Sequence, residues 1–280
     1  MPSRRALLAA IPAALLARAA HAQGFDPAGF GTAGLQLYTV RALLERDYDG
    51  TLAAVAALGI REVEFAGLYP SPSPRETIAL LKRHGLSAPS GHAGYESLVR
   101  DPEPELQRAG ELGQAFVVCP SIDEPRRRTL DDWKRIAENF NRIGEQARRA
   151  GLAFAYHNHD FEFRPIAGRI PYDLLLAETD PALVKLEMDF YWMAGAGRDS
   201  LAYLVKYPGR FSLLHLKDRA PDGSITEVGS GTIDFARLLA EAKAAGIAHA
   251  FVEHDDPADP LKSIESSLGY LRRLKSPPAR

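Results

Sequence analysis

This sequence has a single cysteine, no long internal apolar run and no large excess of either charge. Cys119 is the only cysteine in 280 residues, so no intrachain disulfide is available to staple the fold. The 34 basic and 36 acidic residues give a formal net charge of -2, which provides no long-range attraction to nucleic acid or to an anionic membrane. No internal run approaches the ~18 apolar residues of a membrane-spanning helix. We therefore expect a globular protein without a nucleic-acid partner, stabilised by a large apolar core.

The first 22 residues differ in character from the rest of the chain. Arg4 and Arg5 precede a short apolar stretch, and Ala20-His21-Ala22 supplies the small residues of a cleavage site. These features predict a signal peptide over residues 1–22 and a mature domain over 23–280. The paired arginines favour the twin-arginine export route; the general route and an uncleaved N-terminal helix are the alternatives. We expect a periplasmic or secreted protein with no stable membrane association after cleavage.

After this leader, short apolar runs alternate eight times with amphipathic segments. The predicted strands cover residues 34–38, 62–65, 87–91, 116–119, 153–159, 184–190, 211–217 and 250–253. The predicted helices cover residues 49–58, 77–84, 102–112, 130–150, 172–178, 201–206, 235–245 and 261–274. Eight strand–helix units in order predict an α/β fold, a single (β/α)8 TIM barrel. An open, doubly wound sheet is the competitor, but no glycine-rich phosphate turn follows the first strand.

Polar side chains stand at the ends of the last four predicted strands. Because side chains alternate along a strand, His157, Asp189, His215 and Glu253 are expected to face the barrel interior, near the mouth where barrel active sites are built. Each alone could be a hydrogen-bonded structural residue, but burying four such groups at matching depth is costly without a common partner. Two imidazoles and two carboxylates predict one divalent metal: manganese, cobalt, iron or zinc rather than magnesium.

Four runs of the sequence resemble the sugar phosphate isomerase/epimerase family, the xylose isomerase-like barrels. They are residues 34–41 (GLQLYTVR), 156–163 (YHNHDFEF), 186–192 (LEMDFYW) and 215–218 (HLKD). The resemblance covers essentially the whole mature chain. The family also includes ketose 3-epimerases, inosose dehydratases and hydroxypyruvate isomerases, so the motifs identify the superfamily far better than the substrate.

The resemblance implies a metal held by a carboxylate on strand five, an Asp on strand six, a His on strand seven and a Glu on strand eight. Asp189, His215 and Glu253 match the last three positions, whereas His157 stands where the family has its strand-five carboxylate. Trp192 likewise stands where the epimerases often place a substrate-binding His. These departures leave the metal site in place but argue against a symmetric epimerisation by two glutamates.

The expected activity is that of a metal-dependent isomerase or epimerase acting on a sugar or keto-sugar through an enediolate. Glu253 is the predicted base, and His157 or His159 is predicted to return the proton. Lys217 is expected either to stabilise the oxyanion or to form an ion pair with an acidic residue of strand six, Glu187 or Asp189.

Five further residues are candidates for binding the carbohydrate. Glu64 and His92 are predicted to contact substrate hydroxyls. Tyr38 and Trp192 are expected to stack on the apolar face of a sugar ring or, alternatively, to pack in the core. Glu227 lies in the long loop after strand seven and either closes over the site or remains a solvated loop acid.

Other functions compete with the isomerase. Loss of a β-hydroxyl from the same intermediate would make the protein a dehydratase of a keto-sugar or cyclitol, like the inosose dehydratases. A non-catalytic periplasmic barrel that binds a sugar or a metal is a third possibility. The endonuclease-IV-like DNA repair branch is disfavoured by the charge balance and the leader. Export also argues against a phosphorylated substrate. Many barrels of the family that the sequence resembles form dimers through their mouths, so a homo-oligomer is an open possibility.

Overall fold

Residues 33–67 and 73–274 are described by the computed structural model, except for the side chains of residues 243 and 244. The predicted signal peptide, residues 1–22, lies outside the described residues, so export stays a prediction. No helix in the described part of the chain combines the length and apolar character needed to cross a bilayer.

Eight parallel strands close into a barrel, which confirms the predicted fold class. In chain order they are β1 (Gly34–Gln36), β2 (Glu62–Phe65), β3 (Ser87–His92), β4 (Phe116–Cys119), β5 (Ala153–His157), β6 (Val184–Asp189), β7 (Phe211–Leu216) and β10 (His249–Val252). Each strand pairs with its neighbours in sequence, and β1 closes the ring by pairing with both β2 and β10. Two short strands, β8 (Asp218–Arg219) and β9 (Ile225–Thr226), form a separate hairpin after β7.

Helices follow the barrel strands at the predicted places and begin or end within a few residues of the predicted bounds. They are α2 (Tyr48–Ala57), α3 (Pro74–Arg83), α5 (Glu103–Glu111), α6 (Leu130–Arg149), α7 (Pro171–Glu178), α9 (Ser200–Lys206), α10 (Phe235–Ala244) and α11 (Pro260–Arg273). Three short helices were not predicted: α1 (Arg41–Arg46), α4 (Tyr95–Arg100) and α8 (Phe190–Gly195). They lie in the loops that leave the C-terminal ends of strands, where too few residues are available for a helical period to be read.

The alternation of side chains along the strands sorts the apolar residues into two groups. Phe154 and Tyr156 belong to the large core between strands and helices, as predicted for the outer face of β5. A small group of apolar side chains fills the lower part of the barrel interior: Phe116, Val118, Ala155, Leu213 and Phe251. Because this apolar floor excludes water from below, the polar side chains farther along the same strands are buried as well.

Asp218 holds the long loop after β7 against the barrel mouth. Its fully buried carboxylate accepts four backbone N–H groups, those of Arg219 (2.7 Å), Gly229 (2.8 Å), Gly231 (2.9 Å) and Ile233 (3.2 Å). A Cβ at Gly231 would overlap the Asp218 carboxylate and the backbone of Arg219, so only glycine permits this approach. One acid therefore gathers residues 218–233 into a single folded unit.

Candidate metal centre

Four side chains from consecutive barrel strands converge at the mouth, and we call them the mouth site: His157, Asp189, His215 and Glu253. His157 ends β5, Asp189 ends β6 and lies beside His215 of β7, and Glu253 follows β10. All four are buried, and one donor atom from each lies within 4.8 Å of the others. The structure thus brings together the four residues predicted to hold a metal.

Three of the four donor atoms of the mouth site lack a hydrogen-bond partner in good geometry. His157 Nε2, Asp189 Oδ2 and His215 Nδ1 are fully buried and form no hydrogen bond. They nevertheless lie close together: His157 Nε2 is 3.5 Å from Asp189 Oδ2, and His215 Nδ1 is 2.9 Å from Glu253 Oε2. Buried polar atoms without partners are costly, and three at one point indicate a shared ligand. Two nitrogens and two oxygens fit a divalent transition cation.

Backbone and side-chain contacts orient the two imidazoles for this purpose. His157 Nδ1 donates to the carbonyl oxygen of Pro120 (3.1 Å), which turns Nε2 towards the centre of the site. Burial, together with the neighbouring His215, holds the pKa of His157 well below its usual range, so the ring is neutral as a metal ligand must be. His215 Nε2 lies 2.8 Å from Glu64 Oε1, and Nδ1 faces the mouth site.

Lys217 is the cation that the described residues place next to this centre. Its Nζ is 2.7 Å from Glu253 Oε2, 2.7 Å from Asp255 Oδ1 and 3.3 Å from Asp189 Oδ2. Burial opposes the charge of Lys217, but the three carboxylates raise its pKa above the usual value. Burial likewise opposes ionisation of Glu253, but Lys217 and His215 hold its pKa well below the usual range. The predicted ion pair with Asp189 is present, and Glu187 is not a partner.

His159 lies just beyond the end of β5, because the strand is two residues shorter than predicted. Its ring packs against Phe161 and Trp192, with centroid separations of 5.4 and 5.1 Å, and Nδ1 has no hydrogen-bond partner. Burial and the nearby His157 lower the pKa of His159 to about 3. The side chain is therefore a neutral imidazole with a free nitrogen beside the mouth site.

Glu162 is a site residue that sequence reasoning missed. Its fully buried carboxylate accepts the Tyr156 hydroxyl (2.6 Å) and, through both oxygens, the backbone N–H of His159 (3.1 and 3.0 Å). Burial raises the pKa of Glu162 to about 7. The bonds fix the turn that carries His159. The only signal in the sequence was its place in the motif YHNHDFEF, which by itself does not indicate burial.

The substrate-binding candidates occupy three different positions. Tyr38 was predicted to end the first strand, but the chain turns after Gln36 into a 3-10 helix and leaves Tyr38 40% exposed, beneath the Arg41 guanidinium. Core packing of Tyr38 is therefore wrong. Trp192 is half-buried on α8, with Lys217 Nζ 5.6 Å from its ring centre. Glu227 is half-buried beside β9 and accepts the Thr226 hydroxyl at 3.2 Å.

Glu64 and His92 lie deeper than the mouth site. Glu64 is fully buried; Gln36 Nε2 donates to its Oε1 at 2.7 Å and the Ser90 hydroxyl donates to its Oε2. His92 Nε2 is 3.2 Å from the same Oε1. Both residues are thus engaged inside the barrel, and their predicted contact with substrate hydroxyls stays a prediction.

Comparison with known proteins relates this chain to one barrel family and to a group of curated dehydratases. A family model described as "Xylose isomerase-like TIM barrel" matches residues 52–274. The chain is 28% identical over 189 residues to the inosose dehydratase of Clostridium tetani and 29% identical over 189 residues to that of Geobacillus thermodenitrificans. Each match covers 60% of this chain and 63% of the relative, so the chain spans less than two thirds of the length of these curated proteins.

Solved structures extend the similarity over most of the chain. A sugar phosphate isomerase/epimerase from Parabacteroides distasonis superimposes with a TM-score of 0.76 and 29% identity, over 86% of this chain and 93% of that one. An L-ribulose 3-epimerase superimposes with a TM-score of 0.66 and 17% identity, over 85% of this chain and 92% of that one, a likeness of fold alone.

Proposed function

Because the chain belongs to the xylose isomerase-like TIM barrel family, we propose that it is a metal-dependent isomerase or epimerase of a sugar or keto-sugar. The observation that carries this proposal is the set of three buried donor atoms without hydrogen-bond partners, on His157, Asp189 and His215. Hydrogen bonding alone leaves them unsatisfied, whereas one cation would satisfy all three and also the adjacent Glu253 carboxylate.

The mouth site would hold manganese, cobalt, iron or zinc. When bound, such an ion polarises a substrate carbonyl and acidifies the neighbouring C–H. The chain supplies the groups that move the proton. Glu253 is ionised beside Lys217 and is the base that takes the C–H proton. The Lys217 ammonium then faces the negative charge that develops on the substrate.

His159 is the better of the two predicted proton donors. His157 is engaged at both nitrogens, with Nδ1 bonded to Pro120 and Nε2 facing the mouth site. His159 keeps a free Nδ1 beside Trp192, outside the ligand set. Because its pKa is lowered to about 3, the ring is neutral and must receive a proton before it passes one on, so it relays to the substrate carbon the proton that Glu253 removes.

A dehydratase of a keto-sugar or cyclitol is the second candidate. Two observations favour it: the sequence similarity to inosose dehydratases, and His157 in place of a second carboxylate. With one carboxylate base at the mouth, Glu253 would remove the C–H proton, and His159 would relay that proton to the departing β-hydroxyl, so that water is eliminated. The same residues serve both reactions, which differ in whether the proton goes to carbon or to oxygen.

The proposed substrate carries no phosphate. Arg41, the arginine beside Tyr38, donates to the backbone oxygen of Asp255 and pairs with the Asp256 carboxylate at 3.4 Å, so its guanidinium is already occupied. The export proposed from the leader also favours an unphosphorylated sugar, because phosphorylated intermediates belong to the cytoplasm.

The test has two stages. Elemental analysis of the purified protein is expected to find a transition metal at the mouth site, so that Asp189→Asn holds one ion fewer than wild type. Candidate keto-sugars and cyclitols are then incubated with the metal-loaded protein in D2O. A product that has the molecular formula of the substrate apart from incorporated deuterium identifies an isomerase or epimerase. A product that has lost one water molecule identifies a dehydratase. Metal binding with neither deuterium exchange nor loss of water in any of these compounds would contradict both and leave a sugar-binding barrel.

A further inference from the structure

A second cluster of metal-type ligands lies inside the barrel, one layer below the mouth site. We call it the inner cluster: Glu64 of β2, His92 of β3, Glu187 of β6 and His215 of β7. Its donor atoms lie within 4.8 Å of one another, and both carboxylates are fully buried. The proposed function needs only the mouth site, so Glu64, His92 and Glu187 have no part in it.

The spacing of the inner donors fits a tetrahedral cation. His92 Nε2 is 3.2 Å from Glu64 Oε1 and 3.4 Å from Glu187 Oε2. His215 Nε2 is 2.8 Å from Glu64 Oε1 and 3.3 Å from Glu187 Oε2. Zinc-type bonds of 2.0–2.2 Å require donors about 3.3–3.6 Å apart at the corners of a tetrahedron. Three of these four edges lie within 0.1 Å of that range, so little movement is needed to enclose an ion.

The charge of the inner cluster also suits a divalent cation. The ion pairs of Glu64 and Glu187 in the described chain are formed with the two imidazoles alone. Lys217 forms its ion pairs there with Asp189, Glu253 and Asp255 instead. Glu187 Oε1 is buried without a hydrogen-bond partner. With neutral imidazoles the cluster carries two uncompensated buried negative charges, which is expensive. A single dication balances them.

We propose that Glu64, His92, Glu187 and His215 form a second site for a divalent transition cation. His215 then belongs to both sites, with Nδ1 directed to the mouth site and Nε2 to the inner cluster. A ring that serves two cations gives up both N–H protons, and the second cation compensates for this loss. The protein thus holds a pair of cations joined by one imidazole.

Protons are the competing occupants of the inner cluster. Each imidazole of the cluster has Nε2 within 3.4 Å of both carboxylates, so a proton on the ring can take the place of the cation. Cation binding must displace them, and sites of this kind release protons as they load. Metal stoichiometry separates the two occupants directly.

The experiment measures zinc per chain after the folded protein is saturated with Zn²⁺ and dialysed against a weak chelator. Wild type is expected to retain two zinc ions; Glu187→Gln should retain one, in the mouth site, and Asp189→Asn should retain one, in the inner cluster. Glu62→Gln is the matched control, since Glu62 lies on the same strand as Glu64 but forms its ion pair, among the residues that the structure describes, with His249 at 2.8 Å. It should retain two.

Each other outcome has a definite meaning. One zinc in wild type that survives in Glu187→Gln and is lost in Asp189→Asn overturns the inner site and leaves the proposed function intact. One zinc with the opposite pattern supports the inner site and contradicts the mouth site, and no zinc overturns both. If Glu187→Gln does not fold, Glu64→Gln takes its place, and the wild-type stoichiometry of two against one decides without any variant.

Discussion

Lys217 and Glu253 form a buried ion pair at the barrel mouth, with Nζ 2.7 Å from Oε2. The ammonium also touches Asp189 and Asp255, so one cation serves three carboxylates. The same carboxylates are the ones that a metal would use or approach. Lys217 therefore stabilises the metal-free protein and competes electrostatically with a bound cation.

The first prediction concerns the removal of this charge. Lys217→Met should destabilise the chelator-treated protein by about 3–5 kcal/mol, because it leaves buried carboxylates without a counterion. The same variant should bind metal more tightly than wild type, since a competing positive charge is gone. Urea unfolding and chelator competition measure the two effects. Lys262→Met is the control, because Lys262 is 83% exposed and forms a surface pair with Asp259. Equal stability of the metal-free Lys217→Met variant and metal-free wild type would contradict the role of Lys217 as the counterion of these carboxylates.

The second prediction concerns Asn158, which positions a ligand without touching the metal. Its fully buried Oδ1 accepts the backbone N–H of Asp189 at 3.3 Å. Asn158→Ala should leave that N–H unpaired, costing about 1–3 kcal/mol of stability, and should weaken metal affinity about 10–100-fold. Isothermal titration of the metal checks this. Asn141→Ala removes comparable backbone contacts on the outer helix α6 and should leave affinity unchanged; an equal loss there would point to a global effect.

Strand order, side-chain direction and the mouth site could be predicted from the sequence because each rests on a simple period. The predicted bounds of β2 and β4 agree with the structure, and His157, Asp189, His215 and Glu253 meet as expected. Strand ends were predicted too long where a polar side chain turns the backbone. Gln36 accepts the N–H of Tyr38 at 3.1 Å, and Asp189 accepts that of Trp192 at 3.0 Å. Such local bonds compete with the ladder and end the strand.

The depth of the inner residues could not be predicted, because it depends on the stagger between strands. The register shifts between Glu62 and Glu64 on β2, and again between Leu186 and Glu187 on β6. Each shift moves a carboxylate relative to its neighbours without altering the alternation that a sequence displays. Glu187 was one of the two acids considered as a partner of Lys217, whereas the structure places it against His92 and His215.

The third prediction is a pH dependence that arises from Glu162. Burial raises the pKa of Glu162 to about 7 in the folded protein, compared with 4.5 for the solvent-exposed side chain of the unfolded chain. Between these values the folded state binds more protons than the unfolded state, so stability falls as the pH rises. The difference in unfolding free energy between wild type and Glu162→Gln should fall by about 3 kcal/mol from pH 4.5 to 7.5, at about 1.4 kcal/mol per pKa unit.

Urea unfolding of both proteins across this range checks the dependence on Glu162. Glutamine keeps one oxygen for the Tyr156 hydroxyl and the His159 N–H, because Oε1 accepts both bonds in the wild type. Glu265→Gln is the matched control on the exposed side of α11 and should track wild type at every pH. A constant difference between wild type and Glu162→Gln would show that Glu162 ionises normally.

The last prediction tests whether Asp218 holds the loop that carries Glu227. Asp218→Ala removes the acceptor of four backbone N–H groups and should cost about 2–4 kcal/mol at about 1 kcal/mol per bond. The released segment, residues 219–233, should become the first site of limited proteolysis, because freed N–H groups turn to water. If Glu227 closes over the substrate, kcat/KM should fall more than metal content does.

Asp222→Ala at the hairpin tip is the control. It breaks only local bonds to Ser224 and should stay within about 0.5 kcal/mol of wild type. Cleavage of Asp218→Ala elsewhere in the chain, with residues 219–233 still protected, would show that the loop is held by its own packing rather than by this carboxylate.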